Sequence, residues 1–135
     1  MFKGSERGSA NASGKTSKAI GDAGESLALA WLQARGLVLL ERNYRVARGP
    51  GARAGEVDLI LRDRDGTLVF AEVRSRAGSQ HGGAGASIAA AKQHRIIFAA
   101  RCYLLRFASP PPCRFDVVTI DGGRIEWLPA AFDDG

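Results

Sequence analysis

Asp58 and Glu72 stand in the middle of two apolar runs, "GEVDLILR" and "TLVFAEVRSR", separated by the polar segment "DRDG". Gly66 in the left-handed conformation permits a three-residue loop, Arg64-Asp65-Gly66, closed by a bulge. Asp63 then pairs with Thr67, Ile60 with Phe70, Asp58 with Glu72 and Glu56 with Arg74. These side chains share one face, because a strand alternates with period two. Val57, Leu59 and Leu61 meet Val69, Ala71 and Val73 on the other face, which is apolar throughout. Strands apolar on both faces belong in the middle of a covered sheet.

Two carboxylates opposed on a covered sheet repel each other and lose hydration. Two arrangements relieve this. One is a nearby cation, either an Arg or Lys of the chain or a bound metal. The other is protonation of one acid. A hard divalent cation suits paired carboxylates and lowers both pKa values. The competing reading is plainer: a solvent-facing sheet surface on which Glu56 and Arg74 form a simple cross-strand ion pair. Ile60, Phe70 and Leu68 on the same face weigh against it.

The elements that must hold these residues follow from periodicity and punctuation. A helix is expected from about Lys18 to Arg35. Ile20, Leu27, Trp31 and Ala34 repeat at helical spacing, Ala28, Leu29 and Leu32 form a second stripe, and Gly36 supplies the stop. "LVLLERNYRVA" reads as one or two strands, and "RGPGARAG" as a loop. After the hairpin comes a second glycine-rich loop, "AGSQHGGAG". A long helix is expected from about Ala86 to Phe107. Ile88, Ala91, Arg95, Phe98, Cys102 and Leu105 lie along one line of it, widened by Ile96, Ala99, Ala100, Tyr103 and Leu104. "SPPP" ends that helix. "RFDVVTID" and "RIEWLP" form a final hairpin across Gly122-Gly123. The expected order is α-β-β-β-β-α-β-β, an α/β fold with a mixed sheet flanked by helices.

At 135 residues the chain is one domain with a single core. Residues 1–18 are a polar arm of net charge +3, too poor in apolar groups to order itself. The domain is expected over 19–129, with a C-terminal tail at 130–135. The formal charge of +5 suits a polyanionic partner. No apolar run reaches the roughly 20 residues of a membrane span, and the start lacks the apolar stretch of a secretory signal. Cys102 and Cys113 have no metal or disulfide spacing and read as reduced thiols of a cytoplasmic protein. His81 and His94 lack the spacing of paired metal ligands. Trp31 and Trp127 read as packing residues.

An acid on one strand followed by Glu-x-Lys on its hairpin partner is the motif of the restriction-endonuclease-like PD-(D/E)xK nucleases. Here it stands as Asp58 and then Glu72-Val73-Arg74. The segments "GDAGESLALAWLQARG", "ERNYR", "GEVDLI", "LVFAEVRSR" and "AAAKQHRI" occur in that order and resemble the YraN-like family of bacterial proteins, itself similar to archaeal Holliday junction resolvases. The likeness covers about Ile20 to Ile120. It implies a restriction-endonuclease-like fold, Mg²⁺ (or Mn²⁺) chemistry and hydrolysis of phosphodiester bonds in structured or branched DNA. Symmetric dimers are common among resolvase-like enzymes, so a homodimer is an implied arrangement.

Carried over residue by residue, the resemblance makes Asp58 and Glu72 metal ligands, joined by the backbone carbonyl of Val73. Glu25 matches a first-helix acid that completes the site; alternatively it is an acid favoured near a helix N-terminus. Arg74 occupies the motif's Lys position. It supplies positive charge and a forked phosphate contact but cannot accept a proton. Lys92 is a candidate replacement for the missing lysine, or else a solvated helix residue. Asn43 and Arg45 are phosphate contacts or strand-end structure. Arg48 and Arg53 are backbone-phosphate contacts or a solvated loop. If Lys92 does not compensate for Arg74, the expectation becomes a non-catalytic nucleic-acid-binding module on the same fold.

Overall fold

Every interior strand of this protein is covered by a helix on one face or the other, and the helices are set by where they can approach the sheet. The computed structural model describes residues 17–47, 54–76 and 88–134. Most of the amino-terminal arm, Arg48 and Arg53, and the loop carrying His81 lie outside the described residues. The elements are α1 (Ser17–Ala34), β1 (Val38–Val46), β2 (Gly55–Arg62), β3 (Leu68–Arg76), α2 (Ala90–Leu104), β4 (Cys113–Asp121) and β5 (Arg124–Phe132). The strands form one five-stranded sheet in sequential order. Pairing is antiparallel except between β3 and β4, which α2 connects in parallel. The α/β mixed-sheet expectation therefore holds.

Among the described residues three strands precede α2. The segment read as one or two strands is a single strand, with a register shift between Leu39 and Glu41. Its polar residues do not break it because β1 is the sheet edge, where no residue is fully buried. At the other edge, β5 runs to Phe132, past the position expected to begin a tail. Phe132 stacks on Phe115 with ring centroids 5.1 Å apart, which ties the end of the strand to the core.

Two apolar clusters fill the layers. Under α2, Ile96, Ala99, Ala100 and Tyr103 pack on Val57, Ile60, Phe70 and Phe115. Under α1, Ala28 and Leu32 pack on Leu59, Leu61, Val69, Ala71, Val118 and Ile120. Each helix buries a narrower stripe than its sequence implies. On α1 the buried line is Gly24, Ala28 and Leu32, while Leu27 is 45% exposed. On α2 the buried line is the one expected only to widen the face, and Leu105 is 82% exposed, just past the helix end. The reason is that each helix lies on one face of the sheet and is covered from one side only. Among the described residues no helix is long and apolar enough to cross a membrane.

A buried polar network holds β4 to β5 and to the end of β2. Asp116, with no exposed surface, accepts hydrogen bonds from Arg114 Nε at 3.0 Å, Trp127 Nε1 at 2.9 Å and the Ala130 amide at 2.9 Å. Ala130 has φ 51°, and the β4–β5 register shifts between Phe115 and Val117. The carboxylate thus satisfies an amide that the irregular ladder releases. Arg114 also donates to Asp63 Oδ2 at 3.0 Å, which links the end of β2 to β4.

Close approach of α2 to β2 depends on Gly55. A Cβ there would lie 2.7 Å from the Phe98 ring, 3.0 Å from the Ala99 amide nitrogen and 3.1 Å from the Arg95 carbonyl. Two of these are backbone atoms, so the whole helix must move to relieve the overlap. Gly55→Ala is expected to lower unfolding free energy by roughly 1–3 kcal/mol. Urea titrations of the two proteins measure this; equal midpoints would show that α2 has slack at this contact.

Candidate functional site

The hairpin register is the one its turn dictates. Ile60 pairs with Phe70 and Leu61 with Val69, the Asp63 amide donates to the Thr67 carbonyl at 2.9 Å, and Gly66 has φ 91°. The β2–β3 ladder then stops at Leu59–Ala71, one pair short of the acids. In place of the next backbone bond, the Val73 amide donates to Asp58 Oδ2 at 2.8 Å. Meanwhile β3 stays registered to β4 as far as Arg76. The sheet therefore forks at Asp58: β2 leaves, and β3 continues with β4.

Local backbone choices make the fork. On the other side of β2, the registered pairs are Arg42–Leu59 and Tyr44–Val57. Between them Asn43 adopts φ 56°, which asparagine tolerates better than most residues. Side-chain alternation slips at the same level. Val57 packs with Ile60 under α2, whereas Leu59 and Leu61 pack under α1. The expectation that Val57, Leu59 and Leu61 share one face is thereby corrected. Strict alternation requires a continuous ladder on both sides, and β2 has neither at this level.

A cavity of about 400 Å³ opens at the fork, lined by Gly21, Glu25, Asp58, Glu72, Val73, Ser75 and Lys92. Glu25 comes from α1, Asp58 from β2, Glu72 from β3 and Lys92 from α2, so both helices and both hairpin strands contribute. Glu72 is only 8% exposed. Burial first, and the Asp58 charge second, push its pKa up to about 8; a hydrogen bond to Asp58 and the charge of Glu56 add to the rise, and Lys92 opposes it. With protein groups alone, burial and the neighbouring charge favour the protonated form of Glu72 at neutral pH. Burial and then Asp58 also raise the pKa of Glu25, against Arg42 and Asn43.

Lys92 Nζ donates to Glu56 Oε2 at 2.8 Å and lies 3.7 Å from Glu72 Oε2. Burial alone would lower the lysine's pKa, but Glu56, Glu72 and Asp58 outweigh it and hold the ammonium charged above its ordinary range. Glu56 is held below the usual carboxylate range chiefly by the Lys92 hydrogen bond, against burial. Glu56 pairs with Lys92, with Arg45 Nε 3.9 Å from its second oxygen, and the cross-strand ladder that would oppose Glu56 to Arg74 has already ended at Leu59–Ala71. Residues past the end of the ladder are free to turn toward the helix instead of across it.

The donor set fits a divalent ion. Glu25 Oε1 and Glu72 Oε1 are buried without a hydrogen bond, although Arg42 Nε approaches the former to 3.5 Å. Buried oxygens of this kind are commonly satisfied by an ion or an ordered water. Among the described residues no three His, Cys, Asp or Glu side chains converge into a ready cage, so Glu25 shares the cavity without closing a three-acid set. Mg²⁺ does not require one, since it keeps several waters and takes one or two carboxylates.

Of the other residues singled out, Asn43 and Arg45 line a second cavity with Gly21, Asp22 and Glu25, so it adjoins the first. Arg74 is half-buried on β3 and is absent from the lining of either cavity. Arg42 was not anticipated. It donates to the Asp22 carbonyl at 3.0 Å and Ser26 Oγ at 2.9 Å, and so clamps α1 to β1 beside Glu25. Its signal in the sequence was only its place in "ERNYR".

Residues 24–120 match the model of Uncharacterised protein family UPF0102. The chain belongs to this family. A UPF0102 protein of Methylibium petroleiphilum is 67% identical over 118 residues, covering 87% of this chain and 97% of its own. One from Paracidovorax citrulli is 66% identical over 120 residues, covering 89% and 87%. Among solved structures, the crystal structure of SSO0001 is 18% identical with a TM-score of 0.41, over 84% of this chain and 52% of that one; the present chain spans about half its length. The YraN-like resemblance is thereby borne out, and it leads to a UPF0102 family that is itself uncharacterised.

The raised pKa of Glu72 has a consequence for stability. The folded state keeps a proton that the unfolded chain releases above its ordinary value of 4.5, so stability falls as pH rises from about 4.5 to about 8. Glu72→Gln cannot ionise. It is expected to exceed wild type by roughly 1–3 kcal/mol above pH 8 and to converge with it in acid. Denaturant titrations at both extremes check this, and a difference independent of pH would contradict it.

Proposed function

We propose that this UPF0102 protein is a Mg²⁺- or Mn²⁺-dependent endonuclease that hydrolyses phosphodiester bonds in structured or branched DNA. The observation that carries the reading is the acid pair at the fork. Asp58 and Glu72 hold their carboxylates together at the edge of the core, Glu72 keeps one oxygen buried and unpartnered, and a charged lysine stands beside them. Asp58 and Glu72 would hold the ion, with the Val73 carbonyl as a neighbouring donor and Glu25 reaching it directly or through water. When bound, the ion would supply positive charge to the scissile phosphate and acidify a water.

The chain's own groups account for the remainder. Lys92, held charged, stabilises negative charge that develops on the phosphate. It does not serve as a base in that state. Glu25, whose raised pKa leaves it closer to neutrality than an ordinary glutamate, is suited to accept a proton from the attacking water. Asn43 and Arg45, which line the adjoining cavity, would contact a neighbouring phosphate. Arg48 and Arg53, in the segment that follows β1 in the sequence, are further candidates for phosphate contacts. The overall charge of +5 favours the polyanion.

A second reading, a non-catalytic nucleic-acid-binding module, draws on one observation: Arg74, at the motif's lysine position, does not line the cavity. The readings separate on cleavage. With Mg²⁺ or Mn²⁺, the purified protein is expected to cut junction, flap, single-stranded or duplex DNA. Asp58→Asn or Lys92→Met should reduce the rate by more than about a hundredfold, beyond the loss usual for a residue that only supports a ligand. Salt-sensitive binding without cleavage of any of these substrates would favour the module.

A further inference from the structure

Two acids compete for the charge of Lys92. Its Nζ makes a hydrogen bond of 2.8 Å with Glu56 Oε2, whereas Glu72 Oε2 stands at 3.7 Å, a charge contact without a hydrogen bond. The preference is built into the backbone. Glu56 follows Gly55, the residue whose bare Cα lets α2 settle on β2, and Lys92 lies in the first turn of that helix. On its other oxygen Glu56 meets Arg45 Nε at 3.9 Å. Glu56 does not line the cavity, so it is not one of the groups facing a bound ion.

The position matters because an ammonium and a divalent cation compete for the same carboxylate. A lysine settled fully on Glu72 would neutralise the charge that draws a metal. A lysine held on Glu56 leaves Glu72 only loosely compensated and keeps its Oε1 without a partner. We propose that Glu56 is a positioning residue: it draws the Lys92 ammonium away from Glu72, keeping the Asp58–Glu72 pair open to a divalent cation while Lys92 stays at the cavity for the phosphate. This rests on the metal-dependent reading above.

The test is Mn²⁺ binding to the full chain without nucleic acid, followed by calorimetry or by the electron-spin signal of free Mn²⁺. Glu56→Gln is expected to weaken binding by about tenfold, the scale of a residue acting through a neighbour. Adding Lys92→Met should restore affinity to within about threefold of wild type, because the released ammonium is gone. Adding Arg45→Gln instead restores the same net charge but leaves the lysine on Glu72, so binding should stay weak. Equal rescue by both second substitutions would reduce the effect to net charge and overturn the proposal. No rescue by Lys92→Met would overturn it in favour of Glu56 as a direct ligand. Should Glu56→Gln fail to fold, Lys92→Met alone is expected to bind Mn²⁺ more tightly than wild type, by about threefold or more; weaker binding overturns the proposal. Wild-type protein that binds no Mn²⁺ removes the metal reading and this inference together. Wild-type binding that Glu56→Gln leaves unchanged removes this inference alone.

Discussion

Asp58 and Glu72 share the fork where β2 parts from β3, and much of the surrounding chain is arranged around the difficulty of keeping them there. Two carboxylates this close and this dry cannot both ionise without compensation. The protein supplies some: an amide for Asp58, and an ammonium at 3.7 Å for Glu72. It withholds the rest, so that one oxygen of Glu72 stays buried and unpartnered. A packed core of apolar residues in the same place would be more stable. That the chain carries an acid pair there is the main physical ground for assigning chemistry to this end of the sheet.

Two neighbouring strands, β3 and β4, treat buried carboxylates in opposite ways. Asp116 is completely enclosed, and both its oxygens are satisfied by a guanidinium, an indole and an amide. Its role is to close an irregular ladder. Glu72 is nearly as enclosed and is left underbonded. Burial alone therefore does not tell these two acids apart. The number of donors reaching each oxygen does.

The hairpin was legible because its determinants are local. The "DRDG" turn sets the register, and the register brings Asp58 to Glu72. Where the sequence misled, the deciding contact lies far along the chain. Glu56 was matched with Arg74 by cross-strand counting, but its partner is Lys92, 36 residues on, delivered by a helix whose approach depends on Gly55. The slip in alternation at Asp58 was equally hidden, since Val57 and Leu59 are both apolar and either face accepts them. The continuous β1 was ambiguous because a polar edge strand and a strand-loop-strand share the same composition. The buried stripes of both helices were displaced because several apolar lines coexist on each, and only the sheet beneath chooses among them.

The two tryptophans of the chain meet edge to face, Trp31 from α1 and Trp127 from β5, with centroids 5.9 Å apart. Trp127 is at the same time anchored to Asp116, and neither ring borders the cavity at the fork. Tryptophan emission from this protein thus reports chiefly on the seating of the first helix against the outer strand.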